Sequence, residues 1–84
     1  METFRYGVTG GNPDSTLTAL QHGFAGEVTR GEVRIGYGGY SGKVDLITVF
    51  IDAETPEAGE ERITGVLPEG DYKVRLLGRD GKDA

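Results

Sequence analysis

Short alternations of apolar and polar positions recur along the chain and predict strands. Near the N-terminus, Phe4, Tyr6 and Val8 alternate with other residues at the period of two that gives a strand one buried face. The most apolar run, residues 43–52, carries apolar side chains on both faces. This pattern favours a central strand, or a strand that contains a β-bulge.

The middle of the chain also has a strand pattern. Val33, Ile35 and Tyr37 share one face of a segment whose other face carries charged residues. Together with the residues before them, they predict a hairpin over residues 25–37 that turns near Arg30 and Gly31.

Residues 14–22 fit two kinds of element equally well. Asn12 in the N-cap position, Pro13 at the first helical position and Gly23 as a terminator predict a two-turn helix. The threonines and leucines of the same segment suit a strand. Both alternatives remain open on the sequence alone, and a helix would turn an all-β fold into an α+β one.

The C-terminal part of the chain predicts two strands that meet at a corner. Residues 62–67 form the first predicted strand, and residues 72–77 form the second, in which apolar positions alternate with basic ones. Between them, Pro68 lacks a backbone donor and Gly70 can adopt a positive φ. The chain is therefore expected to leave the first strand at this point and turn.

The corner resembles a known type of module. The residues L-P-E-G-D-Y-K-V-R-L, followed by an Asp-Gly turn, are similar to the end of an immunoglobulin-like, fibronectin type III-like or transthyretin-like sandwich. In those modules a leucine, a proline-glycine turn and a tyrosine lead into a core strand. One residue fewer separates Gly70 from Tyr72 than in the fibronectin pattern, so the transthyretin-like version matches better. The resemblance is confined to residues 62–81 and implies a sandwich fold without implying a site.

These elements together predict an all-β protein, a small antiparallel β-sandwich of about six strands, with a short helix near residues 14–22 as the open alternative. One β domain spans residues 1–84, and the polar residues 78–84 are expected to form a frayed tail. The predicted core consists of the apolar residues on the inward faces: Phe4, Tyr6, Val8, Leu17, Leu20, Val28, Val33, Ile35, Leu46, Val49, Ile51, Ile63, Leu67, Tyr72, Val74 and Leu76.

Composition narrows the function classes. The chain has 84 residues, a net charge of −5 and no cysteine, so disulfides and thiolate zinc sites are excluded. With 36% hydrophobic residues and no tryptophan the core is expected to be thin, and either a partner protein or association into a homo-oligomer would complete it. The sequence shows no clustered basic footprint, so we expect no nucleic-acid partner. It has neither a signal-peptide pattern nor a membrane-length apolar run, which favours a cytoplasmic location, with a virion as the alternative.

The glycine-rich segment 36–43 is the predicted partner-binding loop. Tyr37 and Tyr40 offer rigid amphipathic contact area, Ser41 offers adaptable polar contacts, and Lys43 ends the segment. A phosphate-binding loop is not predicted, because the first glycine of that motif is missing and a strand pattern follows instead of a helix. The alternative is a flexible hairpin loop whose tyrosines lie back over the sheet.

Metal binding and catalysis have little support in the sequence. The acidic run 52–61 offers carboxylates for calcium, but its spacing differs from that of an EF-hand loop, and a solvated surface loop is the alternative. His22 is the only histidine, and neither Ser15 nor Ser41 lies in a nucleophile-elbow pattern. We therefore expect no enzyme activity, no catalytic residue, no metal site and no cofactor.

The leading hypothesis is a non-enzymatic protein-interaction module. Such a module would bind its partner through residues 37–43, or would add an exposed edge strand to it. One form of this hypothesis is a small inhibitor that occludes a larger partner, such as those that phages encode. The alternatives are a self-assembling structural or virion-type subunit and a carbohydrate- or calcium-binding module.

Overall fold

The computed structural model describes residues 2–40, 44, 46–68, 70 and 72–79. These residues form strand β1 (Glu2–Gly10), helices α1 (Pro13–Gly23) and α2 (Ala25–Arg30), strands β2 (Val33–Gly38) and β3 (Leu46–Ala53), helix α3 (Pro56–Val66) and strand β4 (Tyr72–Arg79). Residues 80–84 of the predicted frayed tail lie outside the described residues, whereas Gly78 and Arg79 belong to β4.

The four described strands form one antiparallel sheet in the order β2-β3-β1-β4. The buried side chains of the sheet pack with those of the helices, which therefore cover one of its faces. When α1 and α2 are counted as one helical connection, the chain runs β-α-β-β-α-β. With this strand order it has the ferredoxin-like, or split βαβ, topology. The predicted all-β sandwich of about six strands is therefore wrong, because the helices form the layer that a second sheet would have formed.

Helix α1 begins where the helical alternative placed it. The Asn12 side chain accepts hydrogen bonds from the backbone N–H groups of Asp14 and Ser15, at 3.0 and 3.2 Å, and a proline occupies the first turn. Leu17 and Leu20, three residues apart, are buried against the sheet. The helix is thus the correct alternative for residues 14–22.

Helix α2 replaces the first strand of the predicted hairpin. It ends at Gly31, whose φ of 79° lies in the left-handed region that glycine adopts without strain, and the chain then enters β2. The prediction was right about a turn near Gly31 and wrong about the element before it. Among the described strands β2 pairs with β3, so residues 25–30 are not needed as its partner.

Helix α3 replaces the first strand of the predicted corner and most of the predicted acidic loop. The Thr55 side chain accepts a hydrogen bond from the backbone N–H of Ala58 at 3.1 Å, and Glu57 lies in the first turn. Ile63 and Leu67 are both buried. Their spacing of four satisfies the period of a strand and that of a helix, which is why the strand prediction was wrong.

The core lies between the helices and the sheet. Its largest fully buried side chains are Tyr6, Phe4, Phe24, Leu20, Ile47, Ile51, Ile63, Val8, Val33 and Val49. Three members of the predicted core are wrong, because Val28, Leu46 and Leu76 are 42–48% exposed. The inward position of β3 is Ile47, which pairs with Val8, and Leu46 therefore points to the other face.

Tyr6 fixes α3 on the centre of the sheet. Its side chain is fully buried, and its hydroxyl donates a hydrogen bond to the backbone carbonyl oxygen of Pro56 at 2.5 Å. One turn later, a Cβ added at Gly59 would lie 2.9 Å from the Tyr6 Cζ atom. The absence of a side chain at Gly59 lets the helix approach the ring this closely.

Candidate functional site

The face of the sheet that the helices leave uncovered is the most distinctive surface of the described chain. Because Phe4, Tyr6 and Val8 point to the helices, the alternating residues of β1 point away from them. The strand registers extend this second face over the whole sheet. We call it the open face, and it comprises Thr3, Arg5, Gly7, Thr9, Arg34, Gly36, Gly38, Leu46, Thr48, Phe50, Asp52, Lys73, Arg75 and Leu77.

One row of the open face runs directly across three strands. Arg34 on β2 pairs with Phe50 on β3, and Phe50 pairs with Arg5 on β1. The guanidinium carbon of Arg34 lies 4.4 Å from the centroid of the Phe50 ring, a cation–π contact. An aromatic ring with an arginine on each side is thus fixed at the middle of the face.

The neighbouring row is made of small residues and lies beside a shallow depression. The row joins Gly36, Thr48 and Gly7 across β2, β3 and β1, and Gly36 and Thr48 line the depression. At the β4 end of the row Leu77 covers Gly7, where an added Cβ would lie 3.3 Å from a Leu77 methyl carbon. The depression has a volume of about 410 Å³, and Leu46 contributes to its wall. A partner side chain can enter here because little side-chain volume fills the floor.

The open face is positively charged, although the chain as a whole is acidic. Arg5, Lys73 and Arg75 are exposed, and within the part of the chain that the structure describes they form no ion pair. The carboxylate of Asp52, on the same face, accepts a hydrogen bond from the hydroxyl of Thr3 near one end of the sheet. The result is a basic, partly apolar surface on a protein of net charge −5.

Several acidic residues of the described chain lie on the opposite side. Glu57, Glu60 and Glu61 are exposed on α3, and Glu54 is exposed just before that helix. The two layers of the fold thus separate these four carboxylates from Arg5, Lys73 and Arg75, while the arginines of the helical side, Arg30 and Arg62, are each held in an ion pair. The sequence did not reveal this separation, because the basic residues are scattered along the chain and meet only through strand pairing.

The predicted partner-binding loop over residues 36–43 is wrong in its first part, because residues 36–38 belong to strand β2 and pair with β3. Tyr37 and Tyr40 are 62% and 82% exposed, so both are available for contacts. Tyr37 also borders the depression on the open face. Ser41 and Lys43 lie outside the described residues. The loop remains a prediction, and its described part adjoins the open face.

The structure also locates the groups considered for metal binding and catalysis. No cluster of three or more His, Cys, Asp or Glu side chains able to hold a metal ion occurs within residues 2–40, 44, 46–68, 70 and 72–79. His22 is exposed in the last turn of α1, and Ser15 lies near the start of the same helix. None of the described helices is long and apolar enough to cross a membrane.

The signal for the open face was present in the sequence but could not be recognised there. The alternation that buries Tyr6 also places Arg5 on the other side, and the two-sided apolar pattern of residues 46–53 contains Phe50. What the pattern lacked was the information that the helices cover one side only. Compared with protein-family models and with curated proteins, the chain has no match.

Proposed function

We propose that the protein is a non-enzymatic interaction module that binds an acidic protein surface on its open face. The observation that carries this proposal is the row Arg34, Phe50, Arg5 on an uncovered sheet. Arginine and aromatic residues are the types that contribute most to binding energy in protein interfaces. Two members of the row, Arg5 and Phe50, also line the shallow depression beside it.

The apolar residues on the open face support a protein partner. Leu46 and Leu77 are 48% and 43% exposed, and they lie beside the depression. A partner that covers them removes apolar surface from water, which favours association by about 25 cal/mol per Å² of buried apolar area. The surrounding basic residues would then select a partner with acidic side chains and raise its association rate.

A protein partner is favoured over a nucleic acid by the state of the aromatic ring. Single-stranded nucleic acids bind to sheets by stacking their bases on free aromatic faces. On this sheet the guanidinium of Arg34 already stacks on Phe50. The net charge of −5 also opposes the approach of a polyanion.

The test is a selection from a library of displayed peptides against the immobilised protein. The selected peptides should be enriched in aspartate, glutamate and large apolar residues, and their binding should weaken as salt is added. The variant Arg5→Gln with Arg75→Gln should bind them at least tenfold more weakly, because it removes two charges from the open face.

The matched control is Arg30→Gln with Arg62→Gln, which also removes two positive charges, but from the helical side. There Arg30 pairs with Glu32 and Arg62 with Glu27. The control should bind the selected peptides as the wild type does. Peptides without acidic enrichment, or equal losses in the two double variants, would refute the open face as the binding surface.

The predicted loop is tested in the same selection. Tyr37→Ala with Tyr40→Ala should leave the melting temperature nearly unchanged, because both side chains are largely exposed. A loss of peptide binding in this variant with unchanged binding in the open-face variant would make the loop the binding site instead.

A further inference from the structure

We infer that the acidic partner of the open face is a second copy of this chain, which docks its α3 surface on the sheet. The inference rests on the proposed function and names its partner. Its basis is that the two sides of the two-layer fold carry opposite charges: on the open face Arg5, Lys73 and Arg75 form no ion pair among the described residues, and on the helical side exposed carboxylates of α3 form none either.

The acidic surface has the composition that the open face requires. Glu60 and Glu61 follow Glu57 at spacings of three and four residues on exposed positions of α3, so both are neighbours of Glu57 on the helix surface. Glu54 extends the row by a few residues. Among the described residues, none of these four carboxylates forms an ion pair. We call these four residues the acidic α3 surface.

The acidic row is long enough to face two neighbouring basic strands. Strands β1 and β4 are adjacent in the sheet, so Arg5 and Arg75 lie on strands about 4.8 Å apart. In a helix, residues 57–61 span about 6 Å along the axis at about 1.5 Å per residue, and Glu54 lies beyond them. The helix row can therefore contact two of the basic strands at once.

The relation between the two surfaces determines the kind of assembly. Because they are different patches on opposite sides of the molecule, the contact is heterologous, with the sheet of one copy on the helix of the next. Such contacts repeat, and they give either a closed ring or an open stack. A two-fold dimer cannot contain this contact, because its symmetry would require both opposite sides of each copy to contact the other copy at the same time.

The net charge of −5 on every copy does not prevent this contact at physiological ionic strength. The Debye length is then about 8 Å, so exposed charges on distant parts of the two copies are largely screened. The facing arginine and glutamate groups come much closer than this. High salt should weaken the association, because it screens the facing charges as well.

The experiment is sedimentation velocity of the full chain over a concentration series, with two complementary variants. The sheet variant, Arg5→Gln with Arg75→Gln, keeps the acidic α3 surface. The helix variant, Glu57→Gln with Glu61→Gln, keeps the open face. All four positions are exposed, so circular dichroism should show both variants folded with melting temperatures close to that of the wild type.

The wild type should form species larger than the 9.0 kDa monomer as its concentration rises, and 0.5 M salt should dissociate them. Each variant alone should stay monomeric. An equimolar mixture should give a one-to-one pair and no larger species. The acidic α3 surface of the sheet variant can dock on the open face of the helix variant, and the two remaining surfaces are both mutated.

A wild type that stays monomeric at millimolar concentration overturns the inference. So does a helix variant that associates as the wild type does, or a mixture of the two variants that stays monomeric. These results leave the proposed function standing if acidic peptides still bind the open face. Salt-sensitive binding of a labelled single-stranded oligonucleotide, with no self-association, would instead assign the open face to nucleic acid.

Discussion

The close contact between α3 and the sheet predicts that Gly59→Ala destabilises the protein. Alanine is the better helix former, and in an open helix position the substitution stabilises by about 1 kcal/mol. At this position the new methyl group would lie 2.9 Å from Cζ and 3.1 Å from Cε1 of Tyr6, and closer still to the hydroxyl oxygen. The ring cannot move away easily, because it is fully buried between β1 and α3.

The expected magnitude follows from these two opposing effects. Insertion of a methyl group into a packed core costs about 1–3 kcal/mol. Displacement of the Tyr6 hydroxyl from the Pro56 carbonyl oxygen adds about 1 kcal/mol. After the helix propensity of alanine is subtracted, the free energy of unfolding should fall by about 1–3 kcal/mol.

Urea denaturation followed by circular dichroism measures this change, and Gly65→Ala is the matched control. Gly65 lies in the same helix, and a Cβ added there meets no atom within 4 Å. Gly65→Ala should therefore be neutral or stabilising. The cost of Gly59→Ala should also be smaller in a Tyr6→Phe background, which lacks the hydroxyl. A Gly59→Ala variant as stable as Gly65→Ala would contradict the packing of α3 on Tyr6.

Three further predictions concern the same fold. Burial raises the pKa of Tyr6, as does the carboxylate of Glu60. The stability that the protonated hydroxyl provides is therefore complete below its unfolded pKa of about 10 and is lost as the pH rises through the folded pKa. In urea denaturation, the free energy of unfolding of Tyr6→Phe should therefore fall less steeply above about pH 10 than that of the wild type. Asn12→Ala should lower the free energy of unfolding by about 1 kcal/mol, since it removes the N-cap of α1. Leu76→Ala should lower the free energy of unfolding by less than about 1.5 kcal/mol, because the side chain is 44% exposed. Ile63→Ala, at a fully buried position, should lower it by about 2–5 kcal/mol. Thermal denaturation of both variants compares them directly.

The strands were predictable because their signal is local. Phe4, Tyr6 and Val8 alternate with residues that lie on the open face, and β1 covers that segment in the structure. The same holds for Val33, which begins β2. A period of two in the sequence is a direct consequence of strand geometry, and no knowledge of distant residues is needed to recognise it.

The helices α2 and α3 were not recognised because their local signals are ambiguous. The six residues of α2 contain too few turns for a helical period to be distinguished. In α3, the spacing of Ile63 and Leu67 fits a strand as well as a helix. The sequence Thr55-Pro56-Glu57 was the available helical signal, since it supplies an N-cap, a first-turn proline and a first-turn acid.

The candidate site could not be predicted because it depends on long-range pairing. Arg5, Arg34 and Arg75 are far apart in sequence, and they share a surface only because β1 lies between β3 and β4 while β2 pairs with β3. Periodicity places each of them on the opposite face of its strand from an apolar neighbour. It does not reveal that the faces of different strands combine, or that one of the two combined faces stays uncovered.

The most direct test of the binding surface is a titration of the ¹⁵N-labelled protein with an acidic peptide from the selection, followed by amide chemical shifts. Shifts concentrated at Arg5, Thr48, Phe50 and Leu77, with small changes on α1 and α3, are the predicted result. Shifts concentrated around Tyr40, or on the helices, with an unaffected β1 and β3 would contradict the central claim that the open face of the sheet is where this protein binds its partner.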